Sequence, residues 1–337
     1  MKSIFKNFSI PLLLFLVSCA EQNTSVGKKA ITSPKYREDI LFKASTEWLP
    51  NNHLKKLETG STFFNIDNTK DTTIYSEAGT SLFIPANCLR PAGGKTLDGS
   101  AKLELKELFD KASLVLTNKP TISNRKMLVT AGAIYINATN NGKPLTITCE
   151  DGIKITLLKT SDYPNMEMFL GNINKNGNIN WVKDASIKEG NEMNPEFINY
   201  EDEMVSMKME YIPSKADKVF STSKFGWINC DAFYDDPRPK TTISVKLENQ
   251  LPEDNTTNMF LVFKNINSVL PLYSGDKINY QSPLIPEGEE VLLMSIAGSG
   301  SRFYYDAKSI VIKADGVESL NLKLSSELEI KNALKSL

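Results

Sequence analysis

The sequence predicts an all-β protein, two β-sandwich domains in series with short helices near both ends. Three observations carry that expectation. From residue 61 onward apolar and polar residues alternate with a period of two, the pattern of half-buried strands. Turn signals separate these runs at intervals of about 8–12 residues. Two Asn-Gly pairs, Asn141-Gly142 and Asn176-Gly177, mark hairpins, because a type I′ turn needs positive φ at both central positions.

Taken in chain order, Lys2 and Lys6 make a basic start, and Ile10 to Val17 form a short apolar run interrupted by Pro11. That run is far below the ~20 apolar residues that span a bilayer and matches the core of a signal peptide. It ends in Leu16-Val17-Ser18-Cys19, which resembles the bacterial lipobox. The resemblance implies that residues 1–18 are a lipoprotein signal peptide and that Cys19 carries the lipid. Several acyl chains bury enough CH₂ groups, at ~0.8 kcal/mol each, to anchor a protein almost permanently. Residues 19–35 are polar with Gly and Pro and read as the lipidated tether. By analogy with lipoprotein sorting, Ala20 after Cys19 in place of Asp implies delivery to the outer membrane. The single acidic residue Glu21 leaves open the periplasmic or the cell-surface leaflet.

The first domain is expected over residues 36–183. It opens with a short helix broken before Pro50, followed by strands at 72–76, 80–84, 100–108, 132–138, 144–149, 153–158 and 166–170. In 100–108, Leu103, Leu105 and Glu107 face one way and Lys102, Glu104 and Lys106 the other. Trp181 and Val182 begin the return strand of the second hairpin. Residues 184–224 read as a connecting segment, with a polar loop at 184–200 and an alternating run at 204–211. The second domain is expected over 225–337, with strands at 225–230, 241–248, 258–264, 290–297, 302–306, 308–313 and 319–324. Ser326 is a cap candidate for a closing amphipathic helix bearing Leu328, Ala333, Leu334 and Leu337.

Composition narrows the function classes. Hydrophobic residues make up 41% and charged residues 23%, ordinary globular usage that argues against a mostly disordered chain. Lys and Arg number 39 against 40 Asp and Glu, so nothing supports a nucleic-acid partner, which would call for a basic face. A single histidine, His53, excludes chemistry built on two histidine ligands. With Cys19 lipidated, Cys88, Cys149 and Cys230 remain, and their spacing matches no metal motif. They are expected as buried small hydrophobes, with a disulfide between two of them as the alternative.

Gly79-Thr80-Ser81-Leu82-Phe83-Ile84-Pro85-Ala86, followed by Ala101-Lys102-Leu103-Glu104-Leu105, resembles the start of ZU5-type β-sandwich domains over about residues 72–110. Phe64-Asn65-Ile66-Asp67, Gly79-Thr80, Ile84-Pro85 and Phe225-Gly226-Trp227-Ile228-Asn229-Cys230-Asp231 are together similar to Bacteroidota outer-membrane lipoproteins. Leu284-Ile285-Pro286-Glu287-Gly288 bears a slight resemblance to transthyretin-type sandwiches. ZU5 domains generally act as interaction modules, which implies binding or structural work without catalysis.

The segment Trp227–Asp236 gathers Asn229, Asp231, Asp235 and Asp236 beside aromatic rings, the candidate binding residues of this chain. Their oxygens suit Ca²⁺ by type, yet no calcium-loop spacing is met, so no metal and no cofactor is expected. Asp67, Asn68 and Asp71 form a second acidic turn of the same kind. Ser221…Lys224 and Ser123…Lys126 match Ser-x-x-Lys but sit in polar, loop-like sequence. Gly298-Ser299-Gly300-Ser301 is a turn between strands, and of Phe303, Tyr304 and Tyr305 at least one belongs to a core. Trp48, Trp181 and Trp227 are expected to pack against sheets.

The expected function is that of a lipid-anchored, non-catalytic binding or structural module of the cell envelope, partnered by an envelope protein or a glycan. Two alternatives stand beside it: a glycan-binding surface lipoprotein for nutrient capture, and a hydrolase working with carboxylates alone.

Overall fold

The structure is a computed structural model that describes residues 53–58, 60–93, 97, 99–157, 163–174, 177–189, 218–335 and 337. Cys19, Trp48, the signal peptide, the tether and the run at 204–211 lie outside them. Of the described residues 54% are in strands and 7% are helical, so the chain is all-β as its alternation predicts.

The first sandwich pairs two antiparallel sheets. The larger runs in the order Thr62–Asp67, Ser100–Leu108, Lys126–Asn140, Gly226–Phe233, Glu167–Ile173 and Ile179–Val182. The smaller runs Ile187–Glu189, Lys218–Thr222, Ile153–Leu157, Ser81–Ile84 and Thr72–Tyr75. Leu103, Leu105, Ile134, Ile136 and Ile228 of one sheet meet Leu82, Ile84, Ile153, Ile155 and Phe220 of the other. Asn141 and Gly142 take φ of 49° and 77°, the two positive angles of the expected turn.

The strand Gly226–Phe233, expected to open the second domain, instead lies in the middle of this first sandwich. It pairs with Lys126–Asn140 on one side and Glu167–Ile173 on the other. The strands Ile187–Glu189 and Lys218–Thr222, placed by the sequence in a connecting segment, also belong to it.

The second sandwich follows from Lys240. One sheet runs Val269–Pro271, Thr256–Phe263, Glu290–Ser299, Arg302–Val311 and Lys323–Ser325. Arg302–Val311 is a single strand where two were expected. The facing sheet runs Tyr273–Ser274, Asn279–Gln281, Ser244–Leu247 and Val317–Leu320, and its last pair is parallel. Val245, Leu247, Tyr280 and Leu320 pack there on Met259, Leu261, Phe263 and Leu293.

A third apolar cluster joins the sandwiches. Along Thr256–Phe263, Met259 and Leu261 point into the second core while Phe260 and Val262 point toward the first sandwich. Along Gly226–Phe233, Ile228 points into the first core while Trp227 points toward the second sandwich. Both strands are therefore buried on two faces. Between them lie Val115 and Leu116 of the short helix Lys111–Leu116, capped by Asp110, and Ile330 and Leu334 of the closing helix Glu327–Leu334. Ser326 caps that last helix in a reciprocal box with Glu329, as its position predicts.

The same seam takes the 3₁₀ turn Leu54–Lys56. Leu54 and Leu57 are fully buried in it, Glu58 pairs with Lys106 of the first sandwich at 2.7 Å, and Lys56 donates to the Gly300 carbonyl of the second. His53 lies against Gly298, where any side chain would collide with its ring, and its Nδ1 meets the Thr256 hydroxyl at 2.6 Å. Burial pulls its pKa from 6.5 to about 4, against a smaller opposing effect of a hydrogen bond with the Ile296 backbone. The folded pKa lies below the unfolded one, so the unfolded chain binds a proton that the folded chain refuses. Stability from this group is full above about pH 6.5 and is lost as pH falls toward 4. We expect the wild type to lose about 3 kcal/mol more than His53→Asn between pH 7 and pH 4 in denaturant melts. An equal fall in both would remove His53 from the acid response.

Candidate functional site

The Trp227–Asp236 stretch is divided by the structure into three environments. Gly226 takes φ +134°, which explains the glycine, and a Cβ there would meet nothing within 4 Å. The close approach occurs instead at Gly171, paired with Trp181 and one residue beyond the Leu170–Ile228 pair, where a Cβ would lie 2.7 Å from the Trp227 Cβ and 2.9 Å from Trp181. Trp227 is 9% exposed, with the Tyr135 ring centroid 5.2 Å away. Trp181 is fully buried, and its indole N–H donates to the Pro120 carbonyl at 2.9 Å.

Asn229 and Asp231 follow on the same face, and both are fully buried. The pairing shifts here: Cys230 lies opposite Gly132 but Asp231 opposite Thr130, so Ala131 is the extra residue of a β-bulge. Gly132 serves the bulge with φ +134°, and a side chain at that position would strike the Phe109 ring. The bulge turns the Thr130 N–H outward to the Asn267 carbonyl of the second sandwich at 2.9 Å. Its hydroxyl accepts from Gly132 N and donates to Asn229 Oδ1, both at 2.9 Å. Asn229 Nδ2 in turn donates to Asp231 Oδ2 at 2.6 Å, and Asp231 Oδ1 has no partner. All but Asp231 Oδ1 are satisfied within the chain Thr130–Asn229–Asp231, which braces the junction of the sandwiches.

Burial holds the Asp231 carboxyl well above the ordinary carboxylate range. Its contribution to stability is therefore full at pH below the unfolded value and is lost as pH rises through the folded one. Asn at 231 keeps an acceptor for Asn229 and needs no proton. We expect Asp231→Asn to be more stable than wild type at pH 8 by roughly 1–3 kcal/mol, with the gap narrowing toward pH 4. Denaturant melts at the two pH values check this, and a gap that does not change with pH would refute it.

Asp235 is exposed, and Asp236 sits in a clasp. Arg238 grips it with Nε to Oδ1 at 2.9 Å and Nη2 to Oδ2 at 2.8 Å, which holds its carboxyl far below the usual range. Arg238 Nη2 also pairs with the buried Glu289, and the Tyr234 hydroxyl donates to Glu289 at 2.8 Å. Arg238 Nη1 reaches the Glu287 carbonyl, so the clasp ties residues 234–238 to the turn before Glu290–Ser299. One guanidinium thus links the Asp236 and Glu289 carboxyl groups and keeps Asp236 ionised.

The remaining sequence candidates hold turns. Asp67 caps Thr69, Asn68 bonds both backbone groups of Leu89, and Asp71 accepts from Ala86 N at 2.7 Å. Lys224 pairs with Asp184 rather than Ser221, and Ser123 is buried in a two-residue strand. Phe303 is the core member of its aromatic trio, and Tyr304 and Tyr305 are half-buried.

A correction concerns the cysteines. Cys88 and Cys149 are disulfide-bonded, with Cα atoms 4.7 Å apart, whereas only Cys230 is the buried free thiol expected of all three. The reason is register: Leu89–Pro91 pairs with Lys143–Ile147, Leu89 opposite Ile147, which brings the residues flanking that ladder together.

Sequence reasoning missed Lys119. It is 8% exposed, with its ammonium 4.9 Å from the Trp227 ring centroid and donating to the Thr117 carbonyl at 2.8 Å. Lysine carries no sequence mark of burial. Its position follows from the helix Lys111–Leu116 ending at the seam. Among the described residues, no group of three or more His, Cys, Asp or Glu side chains is placed to hold a metal ion.

Comparison with protein-family models gave no match for this chain, and comparison with curated proteins gave none either.

Proposed function

We propose that this chain is a lipid-anchored, non-catalytic binding or structural protein of the cell envelope, held at the outer membrane through Cys19. The observation that carries this reading is the register of Lys2, Lys6, the run Ile10–Val17 and Leu16-Val17-Ser18-Cys19. One feature of the folded body supports it. Asn229 bonds Asp231 beside the junction of the sandwiches and Asp236 bonds Arg238, as suits a rigid scaffold. The ZU5-like reading of residues 72–110 belongs to the same proposal. That stretch supplies Thr72–Tyr75, Ser81–Ile84 and Ser100–Leu108 to both sheets of the first sandwich.

The experiment is fractionation of cells expressing wild type or Cys19→Ala, with palmitate labelling. We expect label on the wild type alone and a shift of the variant from the membrane to the soluble fraction. An unlabelled wild type would end the tether argument.

A further inference from the structure

We propose that Lys119 and Lys106, walled by the Trp227 and Tyr135 rings, form a subsite for an oxyanion, the carboxylate or phosphate group of a small ligand. This deepens the binding reading given above and rests on it. Among the described residues Lys119 is a buried ammonium with one carbonyl acceptor and an aromatic face, against three N–H donors. Lys106 lies directly across from Tyr135 in the sheet, and Tyr135 directly across from Trp227, so one row carries the second lysine and both rings. Tyr135 and the Lys106 side chain are partly exposed, which opens the row at that end.

Charge in the cluster is unbalanced. Glu58 favours the Lys119 ammonium, while Lys106 and Lys55 act against it. Yet the Glu58 carboxylate is already bound to Lys106 at 2.7 Å. Glu104, two residues along the strand from Lys106, also acts on Tyr135, so three lysines share two carboxylates and the cluster keeps a net positive charge. Burial first, opposed by Glu58 and then aided by Lys106 and Lys55, pulls the Lys119 pKa from 10.5 to about 8. An oxyanion seated between Lys119 and Lys106 supplies the missing charge. Trp227 excludes water from one side, which strengthens the pairing.

The test is competitive labelling of the detergent-solubilised full chain with trace acetic anhydride, each lysine followed by peptide mass spectrometry across pH. The probes are inorganic phosphate and glucuronate. We expect Lys119 to titrate near pH 8 alone, and its midpoint to rise by about one unit with a saturating probe. That shift is a ten-fold preference of the anion for the charged amine. Exposed Lys246 should not move, and Lys106→Met should shrink the shift. A rise with phosphate alone assigns a phosphate ligand, and a rise with glucuronate alone assigns a carboxylated sugar. No rise with either probe overturns the proposal. So does a Lys119 that no small reagent reaches at any pH. Neither result touches the fractionation of Cys19→Ala, so the two readings fail separately.

Discussion

Reducing the Cys88–Cys149 bond is expected to cost this protein about 4 kcal/mol of stability. The bond closes a loop of 61 residues in sequence, and constraining a loop of that length removes a large share of unfolded-chain entropy. It also joins the flanks of a non-local ladder, Leu89–Pro91 on Lys143–Ile147, which has only three residue pairs of its own. Cys88 is fully buried in the first core, so its replacement loses packing as well. Against a typical domain stability of about 5–15 kcal/mol the loss is large. Urea melts with and without dithiothreitol make the measurement, and the Cys88→Ala/Cys149→Ala pair should fall at or below the reduced curve. Burial raises the Cys230 thiol pKa to about 12 only in the folded protein, so the melts use a Cys230→Ala background to prevent thiol exchange in the unfolded chain. A reduced protein within about 1 kcal/mol of the oxidised one would show that the bond constrains little.

That bond also marks where the sequence stops being readable. Period-two alternation reports a strand with one face in a core, and Ser100–Leu108 has the limits the pattern predicts. It does not report partners. Cys88 and Cys149 meet only because two short segments far apart in sequence share a register. Gly226–Phe233 was assigned to the second sandwich because it follows a long polar stretch. Its true neighbours lie some ninety and some sixty residues upstream, as Tyr135 opposite Trp227 and Leu170 opposite Ile228 show. With Ile228 and Cys230 in one core and Trp227 in the next, it alternates between two buried faces rather than between core and water. Strands of two or three residues, such as Lys240–Thr241, are shorter than any period. Helix Lys111–Leu116 has six residues, too few for a helical repeat, and its one signal was Asp110, whose carboxylate accepts from Ser113 N at 2.7 Å. The candidate site divides in the same way. Its acids and rings were visible as residue types, while their pairing with one another, with Arg238 and with Lys119 required the fold.

Trp227→Ala is expected to lower stability by roughly 3–5 kcal/mol. Two readings of this residue give opposite results. A ligand platform leaves the ring in solvent, so truncation abolishes binding and spares stability. A packed ring takes its contacts with it and leaves a cavity. The structure places the ring among Phe169, Trp181, Phe260 and Ile296, which come from both sandwiches. Gly171 abuts the Trp227 Cβ and the Trp181 ring, so Gly171→Ala should also destabilise, by overpacking rather than by a void. The Lys119 ammonium stands over the ring, and without it that charge loses its aromatic partner in a water-poor seam. Trp227→Phe keeps much of the packing and should recover more than half of the loss. Because the ring belongs to the cluster joining the sandwiches, the alanine variant should also broaden the melt, as the two halves begin to unfold separately. A loss below about 1 kcal/mol with a sharp melt would instead mean that the ring is dispensable to packing. Trp227 would then serve the neighbouring lysines as a binding surface and not as a wall.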